Sequence, residues 1–281
     1  MKLYIFILYH WFLLYINAWR FLPVSKKYKR MNPNILRKKY ISITPGGLGG
    51  FYTMGVASYI KEKYDLKNYS YLGASAGAWN ALLMCYNENP REIMNRIFQD
   101  KLLKNITSIS MLQYKLRDFL IDNYKDHDFD FSKLNICISE LSNQRLKSNI
   151  IDNIGGLEMA IDCCIVSSHI PYITSDNIIQ KFNETRIGFD GGIFKFPPQN
   201  IYNHFIIYPF MFNDENINLY FYNLLHYSNN ISSLIELYET GYKDSIQNKE
   251  YLDYIFNPNN KYLNLKDNNL EFIPFPPFSP L

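Results

Sequence analysis

The 281-residue chain combines a 47% hydrophobic composition with a formal net charge of only +3. This length and apolar content suit one sizeable α/β domain with appendages, and they exclude a mostly disordered chain. The basic residues are scattered outside one N-terminal cluster, which argues against nucleic acid as the main partner. The four cysteines fit neither a metal-binding spacing nor a disulfide framework, and adjacent Cys163 and Cys164 are best interpreted as small core residues.

The first apolar stretch, residues 3–19, is almost uncharged and is followed by a basic cluster within residues 20–39. It is slightly short for a membrane-spanning helix, but the aromatic residues at its ends suit a membrane interface. We predict that residues 1–33 form a hydrophobic anchor or interfacial helix, with the rest of the chain on the cytoplasmic side. A buried N-terminal helix of the globular domain is the alternative. A removed signal peptide is disfavoured because no small-residue cleavage site follows.

A glycine-rich loop connects the first predicted strand to the first predicted domain helix. Residues 40–44 are alternating and β-branched, which predicts a strand, and residues 51–64 predict an amphipathic helix. The loop between them, residues 45–50, leaves backbone N–H groups available to an anion. Pro45 takes the first position of a Gly-x-Gly-x-x-Gly pattern, which disfavours dinucleotide binding. An oxyanion hole is the better interpretation of this loop.

The next motif, Gly-Ala-Ser-Ala-Gly at residues 73–77, stands between a predicted strand at 69–72 and a predicted buried helix at 78–85. A sharp strand-to-helix turn with serine at its apex is typical of a nucleophile elbow. Gly73 and Gly77 suit the close passage of the chain around Ser75, and the following helix points its positive end at the serine. An ordinary strand-to-helix turn is the alternative.

The middle of the chain predicts a covering layer followed by a hairpin and a helix. Residues 91–122 form an amphipathic helical pattern, and residues 134–139 and 146–151 predict a hairpin. Residues 157–166 predict a helix. The segment Asp-His-Asp at 126–128 offers metal-ligand types, but a solvated turn is favoured because no spacing of a known metal site is present.

A second candidate catalytic residue follows a predicted strand at residues 185–189. Asp190 ends this strand and precedes Gly191 and Gly192, so it faces a cleft that other groups can approach closely. A plain Asp-Gly turn is the alternative. A further strand is predicted at 205–209, a helix at 231–242 and an extended Pro-rich tail at 272–280. We assign residues 40–210 to the catalytic domain and 211–281 to an aromatic- and Asn-rich extension.

The glycine-rich loop, Gly-x-Ser-x-Gly and Asp-Gly-Gly occur in the order that resembles the patatin-like phospholipase family, most closely its adiponutrin and adipose lipase branch. The similarity rests on ISITPGGLGGFYTMGV, YLGASAGA, SSHIP and the Asp-Gly-Gly segment, within roughly residues 40–210. The resemblance implies a three-layer α/β fold with a mainly parallel central sheet and helices on both faces. It also implies a catalytic dyad in which Ser75 is the nucleophile and Asp190 the base.

The resemblance further assigns the oxyanion hole and the motif glycines. Two positions depart from the family pattern: Pro45 replaces the first loop glycine and has no N–H to donate, and Gly49 stands where many plant and bacterial members carry Arg or Lys. The implied oxyanion-hole residues are Gly46, Gly47, Leu48, Gly49 and Gly50, and the motif glycines are Gly73, Gly77, Gly191 and Gly192.

The expected activity is that of a lipid acyl hydrolase, of phospholipase A or acylglycerol lipase type, needing no metal or cofactor. Its expected partners are a phospholipid or acylglycerol substrate and a membrane or lipid-droplet surface. Two alternatives stay open: a catalytically silent lipid-binding protein of the same fold, and an esterase or thioesterase with a Ser-His-Asp triad. His169 and His204 lie nearest the predicted catalytic strand ends.

Overall fold

The computed structural model describes residues 39–257, except 100–102, 104–105, 144, 183–185, 195, 199–203 and 213–230. The predicted N-terminal anchor and the Pro-rich tail lie outside these residues. Among the helices within them, none has the length and apolar character that crossing a membrane requires.

A central sheet organises the described chain. Its hydrogen-bonded order is β5-β6-β3-β2-β1-β7, and β4 also pairs with β3. The neighbours β7, β1, β2 and β3 are parallel, whereas β4, β5 and β6 join through antiparallel pairs. The predicted α/β class with a mainly parallel sheet centre is therefore confirmed. The strands are β1 Lys39–Ile43, β2 Tyr69–Gly73, β3 Leu134–Ser142, β4 Arg145–Ile151, β5 Gln180–Phe182, β6 Arg186–Phe189 and β7 His204–Ile207.

The helical pattern predicted over residues 91–122 is two helices rather than one. Ser108 interrupts it, because its Oγ accepts the N–H of Met111 at 3.1 Å and so caps the start of a new helix. The described helices are α1 Gly50–Lys63, α2 Ala76–Met84, α3 Pro90–Gln99, α4 Ile109–Asn123, α5 Leu157–Ser167, α6 Ile231–Gln247 and α7 Lys249–Phe256.

The amphipathic character predicted for α1 is wrong, because this helix is buried on all sides from Tyr52 to Ile60. Helix α6 packs directly against α1. A Cβ on Gly55 would lie 2.0 Å from the Tyr238 carbonyl oxygen, and one on Gly241 would lie 2.1 Å from that of Tyr52. The two backbones therefore cross in direct contact. The described part of the predicted C-terminal extension thus packs onto the domain predicted at residues 40–210.

The two faces of the sheet bury different clusters. On one face, Ile41, Tyr71 and Ile136 belong to the large apolar core that includes side chains of every described helix. On the other face, Leu72 and Cys137 join a small cluster with Ala74 and Phe196. All four cysteines are free and buried, which confirms that Cys163 and Cys164 are core residues.

A gap along one edge of β3 creates the space for the site. One edge of β3 pairs continuously with β4, from Ile136 to Ser142. On the opposite edge, β2 ends where Gly73 pairs with Ile136, and β6 ends where Phe189 pairs with Ser139. Because β2 runs parallel and β6 antiparallel to β3, their carboxyl ends approach each other along this edge. The residues that follow these strands are therefore brought together.

Candidate active site

Ser75 stands between β2 and α2 in a backbone conformation that non-glycine residues rarely adopt. Its φ is 55° and its ψ is −127°, and it is the residue directly before the first turn of α2. Such a conformation costs on the order of 1–3 kcal/mol and persists only where the surrounding structure fixes it. The predicted strand and helix on either side of this serine are confirmed.

The two glycines of the Gly-x-Ser-x-Gly motif have no room for a side chain. A Cβ on Gly73 would lie 2.1 Å from the Gly77 carbonyl oxygen. A Cβ on Gly77 would lie 2.1 Å from the carbonyl oxygen of Ile43 in β1. Since both obstacles are backbone atoms, only glycine fits at either position. The motif spacing therefore reflects the tight turn and its close contact with β1.

The glycine-rich loop packs against the start of α2. A Cβ on Gly50 would lie 2.8 Å from that of Ala76, the residue directly after Ser75. The N–H of Gly49 donates to the Gly46 carbonyl at 2.9 Å, and that of Gly50 donates to carbonyls of the same turn. The N–H groups of these two residues are therefore already engaged.

Four backbone N–H groups at this junction have no hydrogen-bond acceptor within the described part of the chain: those of Gly46, Gly47, Leu48 and Ala76. Ala76 was not among the residues predicted from the sequence. The available signal was its position directly after the serine, where the first N–H of a helix is exposed at the positive end of the helix dipole.

Asp190 follows β6 and is buried, with 5% of its surface exposed. Its Oδ1 accepts the N–H of Gly192 at 2.7 Å. Its Oδ2 is buried and meets no donor at hydrogen-bonding geometry within the described residues. Burial raises the pKa of the carboxyl to about 6, although the Ser75 hydroxyl and the Gly192 N–H both act to lower it. The two predicted residues are thus close enough for the serine hydroxyl to stabilise the carboxylate.

The Asp-Gly-Gly turn completes the junction of the three motifs. A Cβ on Gly191 would lie 2.1 Å from the Cys137 carbonyl oxygen of β3. One on Gly192 would lie 2.6 Å from Cγ of Pro45, the first residue of the glycine-rich loop. The loop, the elbow and the Asp-Gly-Gly turn therefore meet at one place, although they are far apart in the sequence.

The described histidine side chains make no hydrogen bond to Ser75 or Asp190. His169 is buried, its Nε2 lies 3.3 Å from the Ile178 carbonyl oxygen, and its ring packs against Phe189. His127 is exposed and lies beside Asp128. His10, His226 and the side chain of His204 lie outside the described residues.

The Asp-His-Asp segment at residues 126–128 forms a capped turn. Oδ1 of Asp126 accepts the N–H of Leu157 at 2.7 Å and so caps the start of α5. Oδ2 of Asp128 accepts the N–H of Lys125 at 2.8 Å, within the same turn. Across the described residues, no three His, Cys, Asp or Glu side chains are grouped closely enough to bind a metal. The segment's described contacts are those of a structural turn.

Comparison with known proteins adds little to this geometry. No protein-family model and no curated protein matches the chain. Among solved structures, it is similar to the crystal structure of VipD from Legionella pneumophila, with a TM-score of 0.33 and 12% sequence identity. The match covers 68% of this chain and 55% of that one, so the chain spans about half of its length. Similarity at this level gives no information on activity, and the function has to be argued from the site itself.

Proposed function

We propose that this chain is a serine hydrolase that cleaves fatty acyl esters of lipids, with Ser75 as nucleophile and Asp190 as general base. The observation that carries the proposal is the convergence of a strained serine at a strand-to-helix turn with a buried carboxylate of raised pKa. The lipid substrate class rests on the sequence resemblance and on the apolar surroundings of the site.

The two oxygens of Asp190 have different environments, which suits proton transfer. Oδ1 is held by the Gly192 N–H, whereas Oδ2 has no hydrogen-bond partner at good geometry among the described residues, and we assign the proton transfer from Ser75 to Oδ2. With a pKa of about 6, the group is mostly ionised at neutral pH and is a stronger base than an ordinary carboxylate. Asp190 therefore takes the hydroxyl proton as Ser75 Oγ forms a bond to the ester carbonyl carbon.

The developing oxyanion is stabilised by backbone N–H groups and by the helix dipole. The donors we propose are Gly46, Gly47, Leu48 and Ala76, whose N–H groups have no acceptor within the described part of the chain. This set drops Gly49 and Gly50 from the donors expected from the sequence and adds Ala76. Ala76 also begins α2, so the positive end of that helix faces the same place.

The remaining steps return the proton and release the two products. The C–O bond of the tetrahedral intermediate breaks, and the alcohol leaves with the proton held by Asp190, giving an acyl ester of Ser75. Asp190 then takes a proton from water, whose oxygen attacks the acyl carbon. Release of the fatty acid returns that proton to Ser75 Oγ. Every proton is accounted for by the serine, the carboxylate and water.

Exposed apolar side chains beside Asp190 suit an acyl chain. β5 begins with Gln180 opposite Gly188, so Ile178 and Asp190 each lie two residues beyond this pair in the chain. Ile178 is 58% exposed, and Phe194, four residues after Asp190, is 37% exposed. Apolar surface at the edge of the site supports a lipid rather than a charged soluble substrate.

The proposal is tested with a fluorophosphonate probe, which labels only an activated serine, and with a panel of labelled phospholipids and acylglycerols. We expect the parent protein to be labelled and to release fatty acid, and Ser75→Ala to do neither while remaining folded. Ser168→Ala is the matched control, because this hydroxyl is also buried but has no hydrogen-bond partner among the described residues. An unlabelled, inactive parent would instead favour the silent lipid-binding alternative.

A further inference from the structure

Ser167, the last residue of α5, makes three hydrogen bonds that join the two halves of the site. Its Oγ accepts the N–H of Ser75 at 2.9 Å and donates to the Cys137 carbonyl at 2.7 Å. Its own carbonyl accepts the N–H of Gly191 at 2.9 Å. The residue is completely buried, so none of these bonds competes with solvent. One side chain and its backbone thus contact the elbow, β3 and the Asp-Gly-Gly turn.

The gap along β3 explains why a hydroxyl is needed at this place. The Cys137 carbonyl lies between the end of β2 and the end of β6 and points toward Gly191. A buried carbonyl without a partner costs free energy, and the Ser167 hydroxyl supplies the hydrogen bond that a continuous strand would have given. The same oxygen then has a lone pair left for the Ser75 N–H.

The N–H of Ser75 belongs to the strained residue itself, so a hydrogen bond to it acts directly on the strained backbone. Its direction is set by the φ angle of 55°, so a fixed acceptor for this N–H favours the strained conformation over a relaxed one. Helix α5 gives that acceptor a rigid support, because its other end is capped where Asp126 accepts the Leu157 N–H. The position of the acceptor is therefore determined by the fold and not by the elbow alone.

We propose that Ser167 is a positioning residue for acyl transfer, which holds the strained elbow and sets the distance between Ser75 and Asp190. The inference rests on the proposed function. Ser167 touches neither the reacting hydroxyl nor the substrate in this role, since its bonds reach only backbone groups. Small displacements of a nucleophile from its base are costly, so loss of these bonds is expected to lower the rate of the chemical step.

The test compares Ser167→Ala with Ser168→Ala, the neighbouring buried serine whose hydroxyl has no partner in the described chain. The first readout is hydrogen exchange of the peptide that contains the Ser75 amide, measured by mass spectrometry on the folded proteins. We expect exchange at this amide to be about tenfold faster in Ser167→Ala, and unchanged in Ser168→Ala. This readout does not depend on any enzyme activity.

The second readout is the reaction itself. We expect Ser167→Ala to lower kcat and the rate of fluorophosphonate labelling by about ten- to a hundredfold, with KM within about threefold of the parent. A purely structural role would lower the melting temperature but leave the kcat of the folded protein unchanged. Should Ser167→Ala fail to fold, Ser167→Cys replaces it, since its thiol bonds more weakly, and a smaller change of the same sign is expected.

The outcomes separate this inference from the proposed function. If the parent is labelled but Ser167→Ala keeps the parent's labelling rate and amide protection, the positioning role is overturned while the hydrolase proposal stands. If the parent shows no labelling, the hydrolase proposal fails. Faster amide exchange in Ser167→Ala would then show only that its hydrogen bond to the Ser75 N–H stabilises the fold. The positioning role in acyl transfer would be rejected together with the hydrolase activity.

Discussion

At the scale of single residues, the proposed reaction needs Asp190 to be ionised, whereas the stability of the fold favours its protonated form. Its pKa of about 6 in the folded chain lies above the ordinary value of 3.8, because burial disfavours the charged form. The folded state therefore binds the proton more tightly than the unfolded state does. The resulting stability is fully present below about pH 4 and is lost as the pH rises through about 6.

We predict that Asp190→Asn abolishes ester hydrolysis and stabilises the fold at pH 7.5 by about 1–3 kcal/mol. The amide keeps the shape of the side chain and the oxygen that accepts the Gly192 N–H. It cannot accept the Ser75 proton, and it has no charge whose burial lowers the stability of the fold. Urea unfolding at pH 7.5 and pH 4 measures the effect, which should nearly vanish at the lower pH. An inactive variant that is less stable than the parent at pH 7.5 would contradict this account.

The pH dependence of the reaction follows from the same carboxyl. We expect kcat/KM to rise with pH through about 6 and then level off, because Asp190 must be ionised to accept the Ser75 proton. Burial lowers the pKa of His169 from its ordinary value of 6.5, and a histidine base would also give a limb that rises with pH. The pH profile of kcat/KM for His169→Gln, measured on folded protein, separates the two candidate bases. If Asp190 is the base, this variant should keep the rise through about pH 6.

A Ser-His-Asp triad would make one histidine essential for activity. In that case a folded histidine variant would be as inactive as Ser75→Ala. His127→Ala, His204→Ala and His226→Ala are each expected to stay within about tenfold of the parent, or roughly 1.4 kcal/mol on the barrier.

At the scale of elements, the crossing of α1 and α6 depends on glycine. A Cβ on Gly55 would lie 2.0 Å from the Tyr238 carbonyl oxygen, which is backbone and cannot turn away. We predict that Gly55→Ala destabilises the protein by about 2–3 kcal/mol or more in urea unfolding. Gly155→Ala is the control, since a Cβ there meets no atom within 4 Å, and it should change stability by less than about 0.5 kcal/mol. Equal stability of the two variants would mean that the helices do not cross this closely.

The sequence predicted those elements whose signals are local. β1 and β2 carry β-branched or aromatic side chains at buried positions, and the elbow carries its glycines, so strand, turn and helix were all recognised. The errors concern long-range packing. The burial of α1 depends on α6, nearly two hundred residues later, and no periodicity within α1 reports that contact. The break before α4 had a local signal in Ser108, which the apolar pattern of residues 91–122 obscured.

The residues of the candidate site likewise divide into those with a local sequence signal and those without one. Ser75 and Asp190 were predicted because each lies in a motif of neighbouring glycines, and the structure places them near each other. Ser167 and Ala76 were not assigned roles. Ser167 acts through hydrogen bonds to residues distant in the chain, and the role of Ala76 is carried by its backbone, which any residue type supplies. Such contributions leave little trace in a single sequence.

At the scale of the whole molecule, the apolar N-terminal run is expected to control where the protein resides. We predict that deleting residues 1–33 moves the protein from the membrane to the soluble fraction, while activity on a dispersed short-chain ester is retained. The reason is that the deletion removes no residue of the proposed site, whereas it removes the apolar and basic residues suited to a membrane interface. Fractionation and ester hydrolysis measure the two effects. A truncated protein that aggregates or unfolds would show that this run belongs to the core.

The gap along β3 is filled from two distant parts of the chain, which emerge at different times during synthesis. The ribosome delivers β2, the elbow and β3 first, and the strand that carries the carboxylate emerges much later. Within the described residues, β6 pairs with β3 and β5, so the Asp190 carboxylate reaches Ser75 after β3 has formed an edge to receive β6. A nascent chain that ends before residue 186 therefore contains Ser75 without Asp190. In the proposed mechanism, hydrolysis begins only when the second half has folded onto the first.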